Sequence, residues 1–447
     1  MERDRSVIIV GAGAAGLAAA SRLAAAGVSV SILEGRERIG GRIFTKRDAT
    51  LDAPIELGAE FIHGKPAEIF DLLKPAGVKF AEVEGQPWCH EENRLRPCSF
   101  FSKIESILGR MDDSSPDESF LAFLQRTFSN PTNNAALQDA KQHALAYISG
   151  FNAADPGLVG VHWLVHGMRA EERLEGDRAF RARNGYQDLL DIFHRQIASF
   201  GVSVHTGTVV ETVRWRRDGA EITARNEQGM LTFNCPHLLI TVPLAVLQAP
   251  VGQAGAMQFD PPLPAQKIEA LKKLEMGKVI RVVLRFRDRF WDRIFPDKSR
   301  TLSDMSFLFS QNEYFPTWWT TMPQKWPIIM GWAPFRSAER LSGQIESSVA
   351  ERALQSLSSV LAVDSSKLED ELESFHFHDW QSDPFSRGAY SYGKVGSTGA
   401  QQVLASPLEN TLFFAGEATD VSGNNGTVHG AIASGYRAAR EILDRLR

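Results

Sequence analysis

The first forty residues combine short apolar runs with a long stretch of small residues. Residues 7–10 are apolar and lead into Gly11-Ala12-Gly13-Ala14-Ala15-Gly16, and an alanine-rich stretch continues to Gly27. A second, largely apolar run at residues 28–33 ends in Glu34. Strands buried on both faces of a parallel sheet have such apolar runs. The pattern therefore predicts a strand, a glycine turn, a helix, a second strand and an acid.

This order of elements is typical of a dinucleotide site. Gly11 permits the tight turn, Gly13 lets the backbone approach a pyrophosphate, and Gly16 lets the helix pack close to the sheet. Ala15 lies in the same turn, and the N–H groups of the helix N-terminus favour phosphates. Glu34 follows Gly16 at the separation at which a carboxylate accepts hydrogen bonds from an adenosine ribose. We therefore expect an adenine dinucleotide.

A second turn, rich in glycine and arginine, follows Glu34 at residues 36–42 and indicates which dinucleotide is bound. A nicotinamide site needs no such turn, whereas FAD binds extended and needs further chain to cover its ribityl and ring portions. The predicted cofactor is therefore FAD. The residues expected to contact it beyond the first turn are Arg36, Gly40, Gly41, Arg42, Leu57, Gly58, Ala59 and Glu60.

The rest of the chain shows both helical and strand periodicity. Residues 120–128 and 135–148 have helical patterns, as do residues 338–361. Residues 279–286 alternate, which places Ile280 and Arg281 on opposite faces of a strand. Residues 304–309 and 327–332 are further strand candidates, so this part is expected to form a mixed sheet.

The nucleotide-binding segments lie at the start, middle and end of the chain, so their domain must be discontinuous. The predicted fold class is α/β: a Rossmann-like, GR2-type FAD-binding domain with an inserted α+β substrate-binding domain. The FAD-binding domain is assigned residues 1–85, 190–268 and 388–447, and the substrate-binding domain residues 86–189 and 269–387.

Composition narrows the class of protein. The net charge is −5 with acids and bases interspersed, so no basic surface indicates nucleic acid as a partner. No apolar stretch approaches the ~18 residues of a spanning helix, and the first strand begins too early for a signal peptide. We therefore expect a cytoplasmic protein without a membrane partner. The three cysteines indicate neither a disulfide framework nor a metal site; Cys89 and Cys98 can pair, but free thiols are the favoured interpretation.

Motifs near the C-terminus extend the pattern. Residues 412–419 are typical of a buried strand that enters a turn, and residues 427–435 of a helix start capped by Thr427. With the segments at residues 184–189, 241–247, 276–286 and 380–392, the chain resembles the flavin amine oxidases: monoamine oxidases, polyamine oxidases and flavin histone-lysine demethylases. The resemblance covers nearly the whole chain and is closer to the polyamine oxidase and demethylase branch.

The resemblance implies an FAD-dependent amine oxidase. Hydride passes from the carbon beside an amine nitrogen to flavin N5, the resulting imine is hydrolysed to an aldehyde, and dioxygen reoxidises the flavin with release of hydrogen peroxide. The implied partners are a small amine and dioxygen, and a homodimer is compatible with the sequence. A polyamine or L-amino-acid oxidase of the same fold, or a weakly active FAD-binding protein, stays open. Further cofactor-binding residues implied are Val210, Thr241, Trp380, Gly416, Glu417, Thr427 and Val428.

The resemblance also assigns catalytic candidates. Tyr390 matches the aromatic residue beside the flavin ring, and Ala389 stands where covalent relatives have a cysteine, so FAD should be dissociable. His63 matches a histidine near the flavin. Arg281 occupies the position of the family lysine that holds a water near flavin N5, whereas Lys278, three residues earlier, should point to the opposite face.

Several residues keep two interpretations. Arg281 is either near the flavin or a solvated strand residue. Glu60 could attract an ammonium group. The acidic stretch at residues 171–177 either recruits a polycation or, more commonly, forms a solvated face. The tryptophans at 318, 319 and 332 either line the amine cavity or pack in the core.

Overall fold

The computed structural model describes residues 5–98, 100–128 and 135–446. The strands in chain order are β1 (Ser6–Val10), β2 (Ser29–Leu33), β3 (Thr45–Asp48), β4 (Ala53–Glu56), β5 (Ile62–His63), β6 (Phe80–Glu82), β7 (Gln86–Glu91), β8 (Arg94–Pro97), β9 (Ala179–Ala182), β10 (Ser203–His205), β11 (Val209–Arg216), β12 (Gly219–Asn226), β13 (Gly229–Cys235), β14 (His237–Ile240), β15 (Gln258–Asp260), β16 (Leu274–Met276), β17 (Val279–Phe286), β18 (Met305–Phe309), β19 (Thr317–Thr320), β20 (Ile328–Pro334), β21 (Leu372–Asp379), β22 (Ser391–Gly393) and β23 (Leu412–Phe414).

The helices in chain order are α1 (Ala14–Ala25), α2 (Ala67–Leu73), α3 (Phe100–Leu108), α4 (Phe120–Thr127), α5 (Ala135–Gly150), α6 (Val161–Arg173), α7 (Gln187–Ser199), α8 (Leu244–Leu247), α9 (Ala265–Lys272), α10 (Arg336–Leu341), α11 (Glu346–Leu361), α12 (Ser365–Glu371), α13 (Ala400–Ala405) and α14 (Val428–Leu446). No helix in the described ranges is long and apolar enough to cross a membrane.

A five-stranded parallel sheet, in the order β10-β2-β1-β14-β23, carries the nucleotide-binding end. Its strands come from the start, middle and end of the chain. Helices α1, α7 and α14 form one packed layer, and a Cβ at Gly435 would lie 2.3 Å from the Ala15 carbonyl oxygen, so α14 lies close against α1. Strands β11 and β12 share a core with β1 on the other side. This arrangement confirms the α/β, Rossmann-like prediction.

A seven-stranded mixed sheet, in the order β21-β17-β20-β19-β18-β7-β8, forms the second large layer. Strands β7 and β18 run parallel, and the other neighbouring strands run antiparallel. The Ile280 face packs with residues of α11, while Val283 on the opposite face packs with Ile55 and Leu57. This second face of β17 therefore contacts the chain around the predicted FAD segment at residues 57–60.

The strands of each large sheet fall in the segments predicted for one domain. Those of the parallel sheet lie in residues 1–85, 190–268 and 388–447, and those of the mixed sheet lie in residues 86–189 and 269–387. The domain boundaries themselves stay a prediction.

Two expectations from the sequence are wrong. Residues 338–361 form parts of two helices, α10 and α11, because the chain turns at Gly343, whose φ is +75°. Cys89 and Cys98 form a disulfide, since the β7–β8 hairpin brings their Cα atoms within 5.4 Å. The third cysteine, Cys235, is buried and takes no part in this disulfide.

Candidate cofactor and substrate site

The glycine turn between β1 and α1 has the geometry that its sequence predicts. Gly11 adopts a φ of +107°, and a Cβ there would lie 2.7 Å from the Thr241 hydroxyl oxygen. A Cβ at Gly16 would lie 2.0 Å from the Gly11 carbonyl oxygen, so only glycine fits. By contrast, a Cβ at Gly13 would meet no atom within 4 Å. The open space at Gly13, at the N-terminus of α1, fits a bound pyrophosphate.

Glu34 joins the first turn to the second. Its buried carboxylate accepts hydrogen bonds from the N–H of Ala12 at 2.7 Å and from the N–H of Arg36 at 2.9 Å. Gly40 donates from its N–H to the carbonyl of Ala12 at 2.8 Å. The acid therefore holds the two glycine turns together at the edge where a ribose is expected.

Arg36 binds a carboxylate that sequence reasoning did not assign. Its guanidinium lies 2.8 Å from Asp383 and also donates to the Ser386 hydroxyl. Burial opposes ionisation of Asp383, but the hydrogen bond from His378 and the charge of Arg36 lower its pKa to about 2. This ion pair ties the second turn to the chain that follows β21.

Arg42 and Glu417 connect the N-terminal turns to the C-terminal segment. Arg42 donates to the carbonyl of Ala389 at 2.7 Å and to Glu417 at 2.9 Å. The Glu417 carboxylate also accepts from the hydroxyl of Ser391 at 2.6 Å and from the N–H of Gly426 at 2.9 Å. Glu417 is buried, so it acts as a fixed junction between three parts of the chain.

The C-terminal helix begins as predicted. The Thr427 hydroxyl oxygen accepts a hydrogen bond from the N–H of Gly430 at 2.9 Å, and α14 starts at Val428. A Cβ at the preceding Gly426 would lie 3.3 Å from the Tyr390 ring, so the start of α14 lies beside that ring. The N-terminus of this 19-residue helix can stabilise negative charge next to Tyr390.

The residues from 57 to 60, hereafter the cofactor segment, are held from several directions. The indole N–H of Trp380 donates to the carbonyl of Leu57 at 2.8 Å. Ala59 donates to the carbonyl of Arg42 at 3.2 Å, and a Cβ at Gly58 would lie only 1.9 Å from that oxygen. The segment therefore packs directly on the second glycine turn.

Glu60 ends the cofactor segment in a buried ionic cluster. One carboxylate oxygen accepts from Arg181 at 2.6 Å, and the other accepts from Arg281 and from the indole N–H of Trp319 at 3.0 Å. Burial opposes ionisation, but the charges of Arg281 and Arg181 hold the pKa of Glu60 below its usual value. The suggestion that Glu60 attracts an ammonium group is therefore wrong, because its charge is already neutralised.

Arg281 and Lys278 lie in different environments. Arg281 is 3% exposed and donates to the Gly58 carbonyl at 2.9 Å, so the solvated interpretation is wrong. Lys278 is 47% exposed and pairs with Glu339 at 2.8 Å. The structure therefore brings Arg281 to the cofactor segment and leaves the catalytic candidate Lys278 at the surface.

Tyr390 adjoins a row of aromatic side chains, hereafter the aromatic wall, formed by Phe151, Phe309, Phe307 and Phe61. Its hydroxyl donates to the carbonyl of Phe151 at 2.6 Å, and burial raises the pKa of Tyr390. Phe151 lies 6.2 Å from Phe309, and Phe309 lies 5.9 Å from Phe307. Phe307 in turn lies 5.9 Å from Phe61, which follows the cofactor segment.

The three tryptophans divide by strand face. Trp318 is fully buried in the core that includes α11, whereas Trp319 contacts Phe61 at 5.7 Å between ring centres. Trp332 lies 5.7 Å from Trp319 and donates to the carbonyl of Gly150. Trp319 therefore contacts the aromatic wall, Trp332 lies next to Trp319, and Trp318 packs in the core.

His63 lies next to Phe61 and near His429 at the start of α14. Its side chain is accessible, yet the surrounding protein lowers its pKa. Burial, and to a smaller extent the nearby His63, lowers the pKa of His429 to about 3.

Val210 packs in the core of the parallel sheet through its side chain. His429, Arg181 and Asp383 were missed; a charged residue at 181 between apolar neighbours was the available signal.

Comparison with known proteins shows the family to which the chain belongs. A family model described as flavin containing amine oxidoreductase matches residues 14–96 and 90–443. The chain belongs to this family. The predicted resemblance and the FAD cofactor are thereby confirmed, and the open turn at Gly13 and the residues around Glu34 and Glu417 are the groups that would hold it.

Individual relatives give the same picture. Polyamine oxidase 3 of Oryza sativa subsp. japonica is 28% identical over 99% of this chain and 90% of its own length. Lysine-specific histone demethylase 1 homolog 1 of the same organism is 29% identical over 99% of this chain and 52% of its own. The chain spans 30% to 58% of the length of the first three demethylase relatives.

The fold also matches solved structures. Wild-type putrescine oxidase bound to putrescine has a TM-score of 0.79 and 21% identity, with 99% of each chain covered. At that identity the likeness shows the fold alone.

Proposed function

We propose that the protein is an FAD-dependent amine oxidase that acts on a primary or secondary amine. The observation that carries this proposal is the position of Tyr390. It lies beside the start of α14, and its hydroxyl group is hydrogen-bonded to Phe151 of the aromatic wall. Bound FAD would accept hydride from the carbon beside the amine nitrogen, and water would hydrolyse the resulting imine to an aldehyde.

The protein's own residues would bind and orient the amine. Aromatic faces attract cations and exclude water, so Tyr390, Trp319 and the aromatic wall between them suit the alkyl chain and nitrogen of an amine. Arg281 and Arg181 are both paired with Glu60, so neither supplies a free guanidinium for a substrate carboxylate. This disfavours an amino acid as substrate.

A second charged group in the substrate is also supported. Glu171 lies at an accessible position on α6, and the surrounding protein raises its pKa to about 7. Burial is the main cause that raises the pKa of Tyr147, and the charge of Glu171 is the second. The Tyr147 ring lies 5.5 Å from the ring of Phe151. An acid whose charge is felt by Tyr147, the neighbour of Phe151, favours a diamine or polyamine, which are the substrates named for polyamine oxidase 3 and putrescine oxidase.

Anaerobic mixing with a substrate panel tests the proposal. Monoamines, diamines, polyamines and amino acids are added to the FAD-loaded protein, and the visible flavin absorbance is recorded. We expect bleaching by amines and the fastest bleaching by diamines or polyamines. Bleaching by amino acids alone, or by no member of the panel, would contradict the assignment. Dioxygen as acceptor, hydrogen peroxide as product, a homodimer and a cytoplasmic location are further proposals of the same assignment.

A further inference from the structure

One buried cation, Arg281, contacts both the backbone and a side chain of the cofactor segment. Arg281 donates from Nη1 to the carbonyl of Gly58 at 2.9 Å and from Nη2 to the carboxylate of Glu60. The two acceptors lie on residues 58 and 60, so one planar guanidinium spans the segment. A planar fork with fixed donors suits this task, whereas an ammonium group is a point charge.

Arg281 lies on β17 of the mixed sheet, while the segment packs on the glycine turn at Arg42. The contact therefore joins the two large layers at the place where the segment is expected to cover the cofactor. Arg181 fixes the other oxygen of Glu60 from β9, so the carboxylate is held from two sides.

The guanidinium has little freedom to serve as a mobile charge. Its ring contact with Trp319 is 5.2 Å, and within the described part of the chain its Nε has no hydrogen-bond partner. A cavity of about 30 Å³, lined by Glu56, Glu60, Arg181 and Arg281 among others, adjoins this cluster. That volume admits about two water molecules, which can accept from a buried N–H.

We propose that Arg281 is a positioning residue for FAD. It acts through Glu60 and the Gly58 carbonyl to fix the cofactor segment against the flavin, and it does not contact the reacting atoms. The inference uses the FAD cofactor of the proposed function but none of its amine chemistry, so failure of the amine panel leaves it intact.

The test compares variants of the FAD-loaded protein by two measurements that need no substrate: the FAD dissociation constant and the shape of the visible flavin absorption band. Arg281→Met and Glu60→Gln should each weaken FAD binding by about tenfold to a hundredfold, the scale of a lost hydrogen bond to a charged group. Both should change the absorption band in the same way. The double variant should bind FAD no more weakly than the weaker single variant, because both changes break the same link.

Arg281→Lys should bind FAD about as weakly as Arg281→Met, since one ammonium cannot reproduce the two-acceptor contact. Arg285→Met is the matched control, because Arg285 lies on the same face of β17 but pairs with Asp48 and Glu373. It should leave both measurements unchanged.

Three results would overturn the proposal. In the first, Arg281→Met lowers only the unfolding midpoint of the apoprotein and leaves FAD affinity and spectrum at wild-type values. In the second, the effects of Arg281→Met and Glu60→Gln multiply in the double variant, which indicates independent contacts with FAD. In the third, Arg281→Lys restores wild-type values.

If Arg281→Met does not fold, Trp319→Phe replaces it. That change removes the indole donor to Glu60, 3.0 Å away, and keeps an aromatic ring. It should weaken FAD binding severalfold and change the band in the same direction as Glu60→Gln. An unchanged spectrum and affinity would count against the proposal.

Discussion

The nucleotide end and the ionic cluster around Glu60 lie against the same cofactor segment but arise in different ways. At the nucleotide end, Gly11, Gly13, Gly16 and Glu34 lie within one short stretch of chain, and Glu34 accepts from the N–H of Ala12. In the cluster, Glu60 meets Arg181, Trp319 and Arg281, which are 121 to 259 residues away.

This difference shows which kind of constraint each region carries. In the glycine turn, a Cβ would clash with the backbone of nearby residues, so glycine is required at fixed positions. The turn can therefore be recognised from the sequence alone. The cluster is limited by charge balance in a buried place, where each ion needs its partners. Changes in the first region should abolish a local shape, and changes in the second should unbalance charge.

The largest effect is expected at Gly16. Gly16→Ala places a Cβ 2.0 Å from the Gly11 carbonyl oxygen, so α1 must move away from the turn. We expect loss of stoichiometric FAD after desalting and a lower unfolding midpoint of the apoprotein.

Gly13→Ala is the matched control for Gly16→Ala, because a Cβ at Gly13 meets no protein atom within 4 Å. The apoprotein should unfold as wild type does, while FAD affinity should fall at least about tenfold, because the methyl group occupies the space of the pyrophosphate. Full FAD retention by Gly16→Ala would show that the turn tolerates a side chain and would remove this half of the comparison.

An intermediate effect is expected at Glu56, which lines the cavity beside the cluster. Glu56 accepts from the hydroxyl of Thr45 and the N–H of Tyr186, and burial raises its pKa to about 7 from 4.5. The folded protein therefore binds a proton more tightly than the unfolded chain. The contribution of protonated Glu56 to the free energy of unfolding is fully present below pH 4.5. About 3 kcal/mol of this stability should be lost as the pH rises from about 4.5 to about 7.

Urea unfolding between pH 4.5 and 8 measures this contribution. Glu56→Gln cannot lose a proton, so its free energy of unfolding should decline less with pH than that of wild type over this range. Glu211→Gln is the control, because Glu211 is a partly exposed acid paired with Arg225 on the neighbouring strand. Parallel pH profiles for wild type and Glu56→Gln would mean that Glu56 is ionised throughout, and that the cluster has the charge of two acids and two arginines.

The smallest effect is expected at Glu171, on the substrate side. Glu171→Gln should raise KM for a diamine about twofold to fivefold and leave KM for a monoamine of equal length unchanged, the scale of a partly exposed ion pair. Because the pKa of Glu171 is raised to about 7, the preference for the diamine in wild type should increase as the pH rises through 7. Glu172→Gln, one residue along α6, is the control. Equal KM changes for both amines would exclude Glu171 as the group that binds the second nitrogen.

Sequence reasoning located most of the fold because its signals are periodic or steric. The strand at residues 279–286 was predicted with its bounds and faces, and Thr427 caps α14 as expected. The break at Gly343 was missed because residues on both sides keep an apolar helical pattern. The disulfide between Cys89 and Cys98 was missed because the number of cysteines gives no information on the β7–β8 hairpin, which brings the two thiols together.

The sequence by itself determined the dinucleotide turn, the acid at its edge and the need for FAD, since these depend on backbone conformation and spacing within one stretch of chain. Only the tertiary structure decided what the charges do. It paired Arg281 with Glu60, added the unassigned Arg181, placed Lys278 at the surface and turned Trp319 toward the aromatic wall while Trp318 packed in the core. The physical reason is that a buried charge is defined by partners far apart in sequence, and periodicity does not record which of them meet.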